Sequence, residues 1–151
     1  TDRSRGLGDV YKRQLTQGQR VVNLAMFAEM QGATGVVLNA PTANTVVQHV
    51  AETIDIPVVV TVARADTDVD ARLQSGTNIF NVSAAPETPA IVRSIRERYP
   101  DVPIIATGGP TDESILETIQ AGANAITWTP PSNGEIFRDI MAAYRDNKPH
   151  P

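Results

Sequence analysis

Beyond residue 18 the chain alternates two hydrophobic patterns. Short runs rich in β-branched residues occur at Gly35–Asn39, Pro57–Val62, Asn78–Val82, Pro103–Thr107 and Ala125–Thr129. They are mostly continuous apolar stretches, the pattern of parallel strands covered on both faces rather than of strands with one wet side. Between them lie segments with a single apolar stripe. One carries Val46, Val47, Val50, Ala51 and Ile54, the next Ile91, Val92, Ile95 and Tyr99. Two more carry Ile115, Leu116 and Ile119, and Ile136, Phe137, Ile140, Met141 and Tyr144. Spacings of i, i+1, i+4 give each helix one buried face.

The punctuation fits this reading. Thr88-Pro89 reads as an N-cap followed by proline at the first helical position. Ser132-Asn133-Gly134-Glu135 reads as a capping box closed by Glu135. In the charged stretch from Ala63 to Arg72, Thr67 or Asp66 is the expected cap, with Asp68 and Asp70 in the first turn that follows. Gly32, Gly76 and Gly122 stand where helices should end, in positions suited to a left-handed residue. The segment DIPVVVT, beginning at Asp55, returns as DVPIIAT, beginning at Asp101. Strand–helix alternation with such a repeat predicts an α/β protein of parallel β/α units, about five strands and six helices, beginning and ending with a helix. The expected form is a truncated TIM barrel, because a whole one needs eight strands. A doubly wound sheet is the alternative.

Composition narrows the class. The 151 residues are 41% hydrophobic, enough for a sizeable core, and include no cysteine, which removes disulfides, thiolate nucleophiles and cysteine-bearing zinc sites. A net charge of −4 argues against a nucleic-acid partner. No apolar run is long enough for a membrane span, so a cytoplasmic protein without membrane or nucleic-acid partners is expected. Four basic residues against two acidic ones set Thr1–Gln14 apart from the acidic remainder. This string resembles translated adapter sequence and is set aside as adapter-like or disordered. Residues 15–146 are then the partial barrel and 147–151 a polar tail. On that reading Leu15 is not a natural start, and the gene continued upstream.

The stretch Pro103–Thr129 (PIIATGGPTDESILETIQAGANAITWT) resembles the seventh and eighth βα units of aldolase-type, phosphate-binding TIM barrels. Sugar-phosphate lyases and epimerases, thiamine-phosphate synthase and flavin-binding dehydrogenases share that look. Gly108, Gly109, Ala121, Gly122 and Ala123 carry the resemblance. The TPPSNGE that follows is similar to a barrel family labelled only "hydrolase". The resemblance implies a phosphate held at the Gly108-Gly109 turn. A second Gly-rich turn usually completes the cup, but here Pro130 and Pro131 offer no N–H. Ser132, Asn133 and Gly134 would have to serve instead. A Schiff-base lysine has no counterpart, because the two lysines are Lys12 and Lys148.

In a barrel, the ends of the strands and the loops after them carry the chemistry. That places Asn39, Thr61, Asn81, Ser83, Thr107 and Thr129, with Thr127, on a neutral, hydroxyl-rich substrate rim. Gly108 and Gly109 let backbone amides approach an anion, although Asp112 and Glu113 follow in the first helical turn. Arg64 is the candidate ligand for a carboxylate or phosphate and Asp66 the candidate general base. The aspartates around it lack the spacing of a calcium loop. His49 belongs on a helix surface and His150 in the tail, so no metal site or Ser-His-Asp triad is expected. Trp128 is expected to pack. The leading expectation is an enzyme acting on a small phosphorylated sugar or related metabolite by lysis, isomerisation or hydrolysis, without a cofactor. Alternatives are an FMN-binding barrel oxidoreductase and an inactive fragment lacking the first three βα units. Open strand edges would favour a homo-oligomer.

Overall fold

The computed structural model describes residues 17–39 and 41–147. The adapter-like Thr1–Gln14 and His150 lie outside the described residues. A first helix, α1, spans 17–30. Five strands follow, β1 (Val36–Leu38), β2 (Val58–Val62), β3 (Ile79–Val82), β4 (Ile104–Thr107) and β5 (Ala125–Thr127). The helices between and after them are α2 (Asn44–Thr53), α3 (Val69–Gln74), α4 (Thr88–Arg98), α5 (Asp112–Gln120) and α6 (Asn133–Asn147). A 3₁₀ turn, Ala85–Glu87, leads into α4.

The strands form one sheet in the order β1-β2-β3-β4-β5, and every adjacent pair is parallel. That order decides the architecture. A doubly wound sheet must reverse its strand order somewhere, and this one never does. With right-handed crossovers, the helices then all fall on one face, as in a contiguous part of a β/α barrel.

Side-chain register bears this out. One face carries Leu38, Val60, Phe80, Ile104, Val62, Val82 and Ala106, paired strand to strand. These residues are buried with Val22, Val47 and Val50 of α1 and α2, or with Ile91, Val92 and Ile95 of α4. The opposite face carries Val37, Val59, Thr61, Ile79, Asn81, Ile105, Ala125, Thr107 and Thr127. This is the concave, barrel-inner side.

Two devices hold the units in register, and neither announces itself in the hydrophobic pattern. Asn78 Oδ1 accepts from Val58 N–H at 2.9 Å while Asn78 N–H donates to Val58 O. The same clasp recurs 46 positions on, between Asn124 and Ile104. The sequence repeat is thus a repeat of hydrogen bonding. Arg96, on α4, gathers the loops around its own C-terminus. It donates to Pro100 O (2.8 Å), Val102 O (2.7 Å), Gly122 O (2.8 Å) and Asn124 Oδ1 (2.7 Å).

Gly32, Gly76 and Gly122 take φ values of +93°, +104° and +119°, as their helix-ending positions require. Ser132 and Glu135 form the expected capping box. Four local expectations are corrected. Asp68, not Thr67 or Asp66, caps α3, by accepting from Ala71 N–H, and only Asp70 sits in the first turn. Thr88 lies inside α4, and its hydroxyl reaches back to accept from Ala84 N–H. The stripes of α5 and α6 are not buried. Phe137 and Ile140 are 64% and 60% exposed, and α6 buries no residue. For α6 the reason is that no strand lies beneath it, since none among the described residues lies beyond β5. On α5, Ile115 is half-buried against Gly108, whereas Leu116 and Ile119 stay exposed. Trp128, 55% exposed, is likewise not packed.

Candidate functional site at the strand ends

The polar rim is partly assembled on the concave face. Thr61, near the end of β2, donates its hydroxyl to Asn39 Oδ1 at 3.3 Å and accepts from Asn81 Nδ2 at 3.2 Å. Three consecutive strands therefore present one hydrogen-bonded row. Beside it, Thr107 Oγ1 donates to Ser83 Oγ at 3.1 Å. Register explains the grouping. Thr61 pairs with Asn81 across β2 and β3, and both project to the inner face.

The loop after β1 is fastened from the helix side. Arg72 of α3 donates to Thr42 O and to Asn44 Oδ1, and Thr42 in turn donates to Asn39 O. The row thus sits on a framed edge. Its atoms are amide and hydroxyl groups with donors and acceptors to spare. None of these groups titrates near neutrality.

Thr129 lies beyond β5, exposed, and no hydrogen bond ties it to the row. Arg64 and Asp66 lie apart as well. Arg64 holds both carboxylate oxygens of Asp66 at 3.0 and 2.9 Å, with side chains 79% and 69% exposed. Arg64 also lines a groove between α3 and α4, on the helix side of the sheet. The residue order placed both at the strand end. The turn after β2 carries them away from the concave face.

At the Gly108-Gly109 turn the two glycines play different parts. Gly108 N–H donates to Thr127 O at 3.0 Å, so this amide belongs to the sheet. A Cβ on Gly108 would lie 2.7 Å from Ile126 and 2.8 Å from Ile115, so the residue permits close packing of α5 on β5. Gly109 takes φ +80° and passes under Ser114, whose hydroxyl a Cβ would meet at 2.6 Å. Gly109 N–H makes no hydrogen bond among the described residues. Thr111 and Ser114 close their own capping box over the α5 N-terminus, and Asp112 and Glu113 occupy its first turn. At α6, Glu135 takes Ser132 N–H at 2.8 Å. A carboxylate of the chain itself stands where an anion would bind, leaving the Asn133 and Gly134 amides beside it. Among the described residues, no three His, Cys, Asp or Glu side chains converge on a point that could hold a metal ion.

No protein-family model and no curated protein sequence matches the chain. Solved structures do. A mandelate oxidase variant crystallised with 4-Br-2-hydroxy-methylphenylacetate superposes with a TM-score of 0.63 at 17% identity, over 74% of this chain. The chain spans 46% of that protein's length, less than half. At such identity the likeness is one of fold, and a barrel fold hosts many chemistries. It agrees with the unreversed strand order described above.

Proposed function

We propose that this chain forms the substrate-binding wall of a β/α-barrel enzyme whose substrate is a small, oxygen-rich metabolite of the sugar or sugar-phosphate kind. The observation that carries this is the Asn39–Thr61–Asn81 row, extended by Ser83 and Thr107. A continuous strip of neutral donors and acceptors on the inner face suits hydroxyl and carbonyl groups. It does not suit a metal ion or a bare apolar ring. The row binds and orients. Having no group that titrates near neutrality, it moves no proton, so the acid–base step falls to a residue outside it.

For a phosphate, the support is the Gly109 amide at the α5 N-terminus. Asp112, Glu113 and Glu135 oppose a dianion there, so the phosphate contributes less to affinity than the hydroxyls do. An FMN phosphate would need the same turn, and its demand for several free amides and a cation finds less support. No chemistry is therefore derived through a flavin.

Calorimetric titration with ribose and ribose 5-phosphate tests the reading. Thr61→Val removes the centre of the row at nearly constant volume and should weaken both ligands about tenfold, the worth of one or two hydrogen bonds. Gly109→Val should weaken the phosphate ester alone. Equal affinity of wild type and Thr61→Val for both ligands would sink the proposal.

A further inference from the structure

A hollow lies on the helix side of the sheet, away from the row. It has a volume of about 320 Å³ and runs along α4 beside α3, a size at the lower end of small-ligand sites. Its origin is a mismatch of lengths. α3 has 6 residues and α4 has 11, so at 1.5 Å per residue the shorter helix leaves several ångströms of its neighbour uncovered. The floor is apolar, made by Val62, Val69, Ile91 and Ile95, all buried.

The two ends differ in charge. Glu87 and the Arg64–Asp66 pair stand near the start of α4, and Arg98 and Tyr99 stand at its end. Arg64 is engaged by both oxygens of its aspartate. Arg98 gives only Nη2 to Asp70, at 2.7 Å, and lies over the Tyr99 ring at 5.4 Å from its centre. Among the described residues its Nε and Nη1 donors make no hydrogen bond. An exposed ion pair of this kind is worth at most about 1 kcal/mol, so it does not prevent Arg98 from taking a second carboxylate. At the other end Glu87 would repel a carboxylate, and Arg64 there is already held by both oxygens of Asp66.

We propose that the α3–α4 groove binds a medium-chain carboxylate, its head group on Arg98 and its apolar chain along Val62, Val69, Ile91 and Ile95. An extended eight-carbon chain, about 10 Å long, fits beside three turns of helix. The site is independent of the strand-end row, since it lies on the opposite face of the sheet.

Titration of the whole chain with octanoate, followed by methyl NMR, tests this. Saturable shifts at Val62, Val69, Ile91 and Ile95 are expected, with none at Phe137 or Ile140, which offer ordinary exposed apolar surface. Arg98→Gln should weaken octanoate about tenfold and leave octanol unchanged. Ser94→Trp, which fills the groove from an exposed position on α4, should abolish the shifts while the thermal melt stays cooperative. Shifts confined to α6, or equal affinity for octanoate and octanol, would overturn the proposal. So would binding unaffected by Ser94→Trp. If that variant fails to fold, Arg98→Gln against octanol decides alone.

Discussion

Arg96→Met is the sharpest perturbation of this fold. The methionine keeps the aliphatic stem that packs on Gly122, where an added Cβ would meet Arg96 Cγ at 2.8 Å. Only the guanidinium is lost. Four of its contacts, to Pro100 O, Val102 O, Gly122 O and Asn124 Oδ1, measure 2.7 to 2.8 Å. Hydrogen bonds from a charged donor contribute about 1.5–3 kcal/mol each. The four are not additive, and Arg96 is half-buried, so water recovers a part. About 3 kcal/mol remains, a large share of the stability of a domain this size. Urea denaturation followed by circular dichroism reads it directly. With a slope of about 2 kcal/mol per molar, the midpoint should fall by about 1.5 M at unchanged slope. Arg96→Lys, a point charge without the fork, should recover less than half. A midpoint within about 0.3 M of wild type for Arg96→Met would refute the clamp.

Further expectations concern single contacts. Asn78→Ala leaves Val58 N–H without its acceptor and should cost about 1–3 kcal/mol by the same denaturation assay. Gly108→Ala drives a Cβ into Ile115 and Ile126, and overpacking of this kind costs about 1–3 kcal/mol in thermal melts. Thr88→Val should destabilise by about 1 kcal/mol or more, because Ala84 N–H loses the buried hydroxyl that receives it. Exchange of the Ala84 amide should quicken, and an unchanged rate would show that the contact does not protect it.

The alternation of continuous apolar runs with striped segments is a strong local signal. It located all five strands to within one or two residues, Trp128 and Thr129 being the overrun at β5. Which sheet those strands build is a matter of order and handedness, and no residue writes that down. The pairing of Thr61 with Asn81 follows from period-two register and could be read once the strands were known. The departure of Arg64 to the helix side could not, because it depends on the path of one turn. The stripe of α6 shows the opposite failure. Phe137 and Ile140 record a face fit for burial, but burial also needs a surface beneath it. The Gly108-Gly109 motif was legible as a tight turn, while the commitment of Gly108 N–H to Thr127 depends on where β5 lies.

The paired asparagine clasps bear on how the sheet assembles. Each joins residues only twenty positions apart, Val58 with Asn78 and Ile104 with Asn124. Closing loops of that length is entropically cheap, and parallel pairing is otherwise slow because its partners are distant along the chain. A sheet latched in this way can zip up strand by strand, each closure presenting the next edge in the correct phase. Early amide protection should then appear at Val58 and Ile104 together, as β2 joins β3 and β4 joins β5, ahead of β1.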